Sequence, residues 1–299
     1  MHPILFEIPG IHFPLRSFGL MVMIGFLVGS HFLTRWGTRG AANPEKVADG
    51  FSALPMWILV GIILGARAMY VVVEVLRNDV VGQGFKDDPL SMFFVWQGGL
   101  VMYGGAIGGI LGALWATQKH NLPFKHTMDL GVTTAFLGLA FGRIGCLLVG
   151  DDFGSVVPEA YAGLPFPITL HVPEVLAEGS LFGPENAGKI LYCTQIWMSL
   201  NALMLFLIGR FWLLPRRRYG GQVAATLLFL YSFGRFAIEY FRGDAIRGVW
   251  FEGMLSTSQL ISIVVALITG TYLVLRLSRR QTSEQIGGFA PGQALPDAE

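Results

Sequence analysis

Gly142-Arg143-Ile144-Gly145-Cys146-Leu147-Leu148-Val149-Gly150-Asp151-Asp152-Phe153-Gly154 is the stretch on which the fold turns. It closes an apolar run that begins at Met128, and it carries a guanidinium to the end of that run before stopping on glycines and two aspartates. An ionisable side chain at membrane depth costs about 2.5–3.5 kcal/mol on insertion scales, so by default it reads as functional. The plainer alternative for Arg143 is a side chain that snorkels to the headgroups. A helix that brings a cation to the interface and ends on carboxylates marks a candidate site.

The rest of the chain supports a bilayer setting. Of 299 residues, 53% are hydrophobic and only 14% charged, against about 25% charged in ordinary globular chains; the mean hydropathy is +0.56. The 39 glycines fit membrane helices, where a missing side chain lets backbones approach. The formal net charge of +1 says nothing about nucleic acid, but there is no basic domain or basic stripe, so no nucleic-acid partner is expected. Cys146 and Cys193 both lie in apolar segments and neither demand nor exclude a disulfide. The N-terminus lacks a positive leader, and Gly19 to Trp36 is too long for a signal h-region, so it reads as a first retained span.

At about 20 apolar residues per crossing, seven spans are expected, at 17–36, 51–76, 92–117, 128–149, 190–214, 221–241 and 256–276. The expected class is an all-α polytopic membrane protein with a catalytic domain over 1–280 and a disordered tail over 281–299. Lysine and arginine set the orientation. Arg35, Arg39 and Lys46, then Lys119 and Lys125, then Arg216, Arg217 and Arg218, then Arg279 and Arg280 fall on one side, while loops with Asp79, Asp87, Asp88, Asp151 and Asp152 fall on the other. The N-terminus is therefore expected outside and the C-terminus in the cytoplasm. Arg242 and Arg247, in the outer loop after span six, weaken the bias without reversing it. The loop 150–189, rich in proline and long for a connection, is expected to form a small extracytoplasmic head between spans four and five, with a short strand pair or an interfacial segment.

Arg67, Arg143, Arg235 and Arg242 lie in or near spans. Tyr231, Arg235, Glu239 and Arg242 follow at i, i+4, i+8 and i+11, along one helix face, with Asp244 beyond. Glu239 can pair with either arginine. Four guanidinium groups against Glu74, Glu239 and Asp151 favour an anion pocket over an ion-pair network that merely locks helices, and the fork geometry of arginine suits a phosphate. In a membrane the abundant phosphate is a lipid headgroup. The paired glycines of span three (Gly104-Gly105, Gly108-Gly109, then Gly112) read as a face for close helix contact, while Gly98-Gly99 and Gly104-Gly105 flank Tyr103 and also suit backbone approach by a ligand.

At these residues the chain resembles the prolipoprotein diacylglyceryl transferases. Their signature runs Gly-Arg-Ile-Gly-Asn, then Gly-Glu, closing on Gly; here it is Gly142-Arg143-Ile144-Gly145-Cys146, Gly150-Asp151 and Gly154. Pro14 through Met21 resembles the family's entry to the first span, Gly65-Ala66-Arg67 its Gly-Gly-Arg, and Gly98-Gly99-Leu100-Val101-Met102-Tyr103-Gly104-Gly105 its Gly-Gly-Met-Ser-Phe-His-Gly-Gly. Thr194-Gln195, Gly234-Arg235-Phe236, Glu239-Tyr240-Phe241-Arg242 and Ser256-Thr257-Ser258-Gln259 follow in the family's order. Phe18, Tyr103, Cys146, Tyr192-Cys193 and the added Asp152 depart from its pattern.

The resemblance implies transfer of diacylglyceryl from phosphatidylglycerol to the lipobox cysteine of a preprolipoprotein in the bacterial inner membrane, without cofactor or metal, by a protein acting as a monomer among membrane lipids. It implies Arg143 and Arg235 as the phosphate-handling pair, with Arg242 and Arg67 in support, and it places Tyr231, Gly104, Cys146, Gly154 and Gln259 around the lipid. Asp151, Glu239 and Tyr103 are the candidates for taking the thiol proton. Tyr103, an unperturbed phenol with a pKa of about 10, is expected to position the headgroup instead. Cys146 reads first as a small residue at a tight helix contact. Two rivals stand beside this reading. One is an anion or lipid transporter, for which inverted repeats are expected and none is seen. The other is a relative of the same fold with altered activity.

Overall fold

The computed structural model describes residues 2–8, 13–78, 80–95, 98–243, 248–250 and 254–288. Asp79, Asp244 and Arg247 of the charge pattern, and tail residues 289–299, lie outside the described residues.

A hairpin of β1 (Ile4–Ile8) and β2 (Phe13–Arg16) leads directly into α1 (Ser17–Arg39). Then follow α2 (Pro44–Arg77), the short α3 (Val80–Asp87), α4 (Met102–Lys119) and α5 (Phe124–Val149). An irregular lobe carries the strand pair β3 (Thr169–His171) and β4 (Ile190–Tyr192). After it come α6 (Thr194–Arg216), with a π-helical segment over Ile208–Leu213, then α7 (Gln222–Glu239), the two-residue strands β5 (Val249–Trp250) and β6 (Leu255–Ser256), α8 (Thr257–Leu275) and the one-turn α9 (Ser283–Ile286).

Among the described residues, five helices (α1, α2, α5, α6 and α8) are long and apolar enough to cross a membrane. The other two at expected spans, α4 and α7, are 18 residues each. The third span was expected from residue 92, but the helix begins at Met102. The residues before it form a 3-10 turn over Pro89–Phe93 and a stretch with left-handed glycines, Gly98 (φ +85°) and Gly99 (φ +73°), which no helix accommodates.

Small residues set the helix pairing. A Cβ on Gly65 would lie 2.3 Å from the carbonyl oxygen of Gly104, and one on Gly108 would lie 2.0 Å from that of Gly61, so α2 and α4 touch backbone to backbone. The contact face of α4 is thus Gly104, Gly108 and Gly112, whereas Gly105 and Gly109 meet the Ile62 side chain. Gly25 of α1 meets the Gly138 carbonyl of α5 in the same way. Trp36, Phe51, Leu54, Leu130, Leu205, Leu214 and Leu227 fill the core between these helices.

At one end of the bundle the fully buried Asp129 and Arg217 pair at 3.1 Å, and Asp129 also accepts from the backbone N–H groups of Gly221 and Ala224, which cap α7. The His126 ring touches Arg217 at 2.9 Å. Residues 281–288 cross this end: Gln281 N–H donates to the Arg218 carbonyl at 2.9 Å, Ile286 is buried, and Gly288 bridges to Ala41. The site lies at the other end.

Candidate functional site: an arginine cluster at the end of two helices

α5 ends because Gly150 takes a left-handed conformation (φ +80°) and its N–H closes on the Cys146 carbonyl. Two residues on, Asp152 is also left-handed (φ +53°), a conformation that aspartate tolerates better than most residues. That double turn folds the Asp152 carboxylate back over the last turns of α5. There it bridges two arginines from different helices: Arg143 of α5 binds one oxygen, and Arg242, just past the end of α7, binds the other. Cys146 Sγ lies 3.7 Å from the same carboxylate and 3.9 Å from Arg143 Nη1.

The predicted face of α7 completes the cluster. Arg235 pairs with Glu239 one turn on, and its Nη2 donates to Ser258 Oγ at 2.9 Å. Glu239 also stands 4.0 Å from Arg242 Nε. The structure therefore brings together Arg143, Arg235, Arg242, Glu239 and Cys146. Three guanidinium groups meet the carboxylates of Asp152 and Glu239, and the Asp151 carboxylate stands within 4.8 Å of Asp152's, so cations and anions here are equal in number. Burial by itself disfavours the Asp152 carboxylate, but Arg143 and then Arg242 outweigh it and hold the acid below the usual carboxylate range.

The loop that carries Asp152 is fastened from below. Thr194 Oγ1 donates to the Asp152 carbonyl at 2.9 Å and Gln195 Nε2 to the Asp151 carbonyl at 3.0 Å, and both residues are fully buried at the start of α6. Gly154 sits where a Cβ would lie 2.4 Å from the Tyr192 carbonyl oxygen, and it bridges to Arg242. Ser155 N–H reaches the Phe241 carbonyl at 2.7 Å and Gly243 N–H the Phe153 carbonyl at 3.1 Å. The lobe is thus stitched to the end of α7 at the point where Arg242 leaves it.

Other predicted site residues stand elsewhere or have other partners. Arg67 is buried, and its guanidinium donates to the backbone carbonyls of Ser91, Met92, Gly98 and Gly99 at 2.6–3.3 Å, so it clamps the chain that precedes α4 and lies outside the cluster. Gly104 is packed against Gly65 and Met69. Tyr103, in the first turn of α4, is 47% exposed. Tyr231 packs its ring on Phe136 at 5.3 Å. Gln259 closes a capping box with Ser256 at the head of α8, next to the Ser258 that meets Arg235. Asp151 is exposed at the rim and accepts from Asp152 N–H at 2.9 Å.

Asp152, not among the expected site residues, stands at the centre of the cluster; its sequence signal is the doubled aspartate. Cys146, Asp151 and Asp152 place ligand atoms within 4.8 Å of one another, yet the Arg143 guanidinium already supplies the cation there. Asp151 also lines a cavity of about 300 Å³ between the N-terminal hairpin and the lobe, walled by Ile4, Phe18, Val149 and Leu181. Cys146 and Cys193 are both free thiols.

Apolar helices that end on a cluster of arginines and carboxylates at one end of a bundle define the class as a helical membrane protein. The comparisons with known proteins narrow it to a family. The family profile described as prolipoprotein diacylglyceryl transferase matches residues 3–275. The chain is 30% identical over 289 residues to phosphatidylglycerol–prolipoprotein diacylglyceryl transferase 2 of Clostridium perfringens, covering 96% of this chain and 99% of that one. It is 31% identical over 274 residues to the phosphatidylglycerol–prolipoprotein diacylglyceryl transferase of Geobacter sulfurreducens, covering 90% and 94%. The chain belongs to the prolipoprotein diacylglyceryl transferase family.

Proposed function

We propose that this chain moves the diacylglyceryl group of phosphatidylglycerol to the thiol of a preprolipoprotein's lipobox cysteine, the first step of lipoprotein maturation. The observation that carries the chemistry is one anion held between Arg143 and Arg242, with Arg235 on the neighbouring turn of α7. A phosphodiester bears a single negative charge and presents two oxygens on one atom, and two guanidinium groups of the cluster are aimed at a common point. α1, α2, α4, α5, α6, α7 and α8 serve as the seven spans, with the N-terminus outside, the C-terminus in the cytoplasm of a bacterial inner-membrane protein, and the lobe over 150–189 as the extracytoplasmic head.

In the reaction the sulfur of the lipobox cysteine attacks the glyceryl carbon. The C–S bond forms as the C–O bond to phosphorus breaks, and that electron pair leaves on the oxygen of glycerol-1-phosphate. Charge grows on the phosphate, where fixed cations stabilise it without reorganisation. The thiol, with an ordinary pKa of about 8.5, gives up its proton before or during attack. Asp151, exposed at the rim beside the cluster, is the carboxylate placed to take or relay it. Tyr103 orients the headgroup from the start of α4.

The test is purified protein in detergent with phosphatidylglycerol and a lipobox peptide. Diacylglyceryl mass on the peptide cysteine and matching release of glycerol-1-phosphate are expected. A peptide that stays unmodified under conditions where a relative modifies it overturns the reading.

A further inference from the structure

The carboxylate of Asp152 stands where the proposed function puts the lipid phosphate. We propose that Asp152 is a built-in counter-anion: it neutralises Arg143 and Arg242 while the site is empty, gives them up to the incoming phosphodiester, and returns to displace the product phosphate. The inference rests on the phosphate-handling reading above and adds to it a residue that sets affinity and product release.

Three observations lead there. First, each carboxylate oxygen takes a different arginine, so Asp152 offers those two residues what a phosphate offers them. Second, of the five ion-paired side chains Asp152 is the most exposed, at 23%, against 12% for Arg143, 8% for Arg242, 11% for Arg235 and 2% for Glu239. It is the member on the open side, with room to withdraw. Third, its main chain is held independently of its side chain. Thr194 and Gln195 fix the carbonyls of residues 151 and 152 from below, whereas the side chain of Asp152 meets the two arginines and the Cys146 thiol. A turn about the side-chain bonds therefore releases the arginines without unfolding the loop.

A second anion cannot share two guanidinium groups with a carboxylate at no cost, since like charges at this range repel in a medium of reduced dielectric. Entry of the lipid is thus an exchange of one anion for another. The product carries more charge than the substrate, because glycerol-1-phosphate is a monoester with about −1.5 to −2 charge near neutral pH. An unopposed arginine pair would retain it. The returning carboxylate counters that retention, so turnover gains what affinity loses. Asp152 is here a positioning residue that acts through Arg143 and Arg242.

Two variants remove the charge while respecting the left-handed turn: Asp152→Asn, because asparagine tolerates that conformation, and Asp152→Gly, because glycine adopts it freely. Expected for both, in the detergent assay, are a KM for phosphatidylglycerol about tenfold lower than wild type, a Ki for added glycerol-1-phosphate lower by a similar factor, and a reduced kcat. Native mass spectrometry of the detergent-purified proteins gives a reading that does not depend on turnover: Asp152→Asn is expected to retain more phosphatidylglycerol than wild type. Higher or unchanged KM and Ki, or no gain in retained lipid, would show that Asp152 only braces the two helices and would overturn the proposal. A wild-type protein that retains phosphatidylglycerol but modifies no peptide would sink the transferase reading while leaving the retention comparison to decide the role of Asp152.

Discussion

Replacing Arg143 with alanine separates an arginine that works on substrate from one that holds helices together. Its guanidinium is one of two on the shared anion, and the variant keeps Arg242 and Arg235 in place. Removing one fixed donor from a developing oxyanion typically lowers kcat by about 10²–10³, or about 2.7–4 kcal/mol. The effect on stability works out smaller. Breaking a fully buried ion pair costs about 3–5 kcal/mol, but Asp152 is 23% exposed and keeps Arg242 as a partner, so solvent screening brings the penalty down to about 1 kcal/mol. Transfer should therefore fall by about three orders of magnitude while the thermal midpoint in detergent moves by only a few degrees. Arg143→Lys should recover a minor part, since an ammonium keeps the charge and loses the fork. The assay is thioether formation on a lipobox peptide by mass spectrometry, with melting followed in parallel. Turnover within tenfold of wild type in a folded Arg143→Ala protein would refute the argument. So would a collapse in melting temperature that accounts for the whole loss of activity.

Other outcomes follow from the same geometry. Gly65→Ala should destabilise by about 1–3 kcal/mol, because its methyl would stand 2.3 Å from the Gly104 carbonyl oxygen; thermal unfolding in detergent measures it. Asp129→Asn should cost about 3–5 kcal/mol by leaving the buried Arg217 charge without its carboxylate, and limited proteolysis at the chain end over 281–288 should accelerate. Tyr103→Phe should reduce kcat far less than the arginine changes, as an exposed hydroxyl that orients rather than carries charge. The pH dependence is set by Asp152, whose folded pKa lies below its ordinary value. The unfolded chain takes up that proton near the ordinary value of about 3.9, while the folded protein resists until lower pH. This part of the stability is therefore complete above the ordinary value and is lost as pH falls through the folded one. Acid titration of the melting temperature should be less steep below about pH 4 in Asp152→Asn than in wild type.

Hydropathy and helical spacing are local properties, and what depends on them was legible in the chain. Helices stand near the expected places, and among the described residues five of them are long and apolar enough to cross a membrane. Arg235, Glu239 and Arg242 share a face because 3.6 residues per turn leaves no alternative, and the small strand pair of the lobe was among the expected forms for that loop. The third helix started ten residues late because its forward boundary is decided by Arg67, a residue about 30 positions upstream, whose guanidinium takes backbone carbonyls that a helix would have used itself.

Sequence by itself determined that arginines would sit at the ends of apolar helices, because their charge and the apolar runs around them are written in the residue order. Only the tertiary structure decided which carboxylate they share. Asp151 and Asp152 are chemically the same and adjacent, but a left-handed turn at residue 152, held by Thr194 and Gln195 from another helix, leaves one exposed at the rim and sets the other between Arg143 and Arg242. That choice depends on a backbone angle and on partners more than 40 positions away, and neither can be read from a pattern of neighbours.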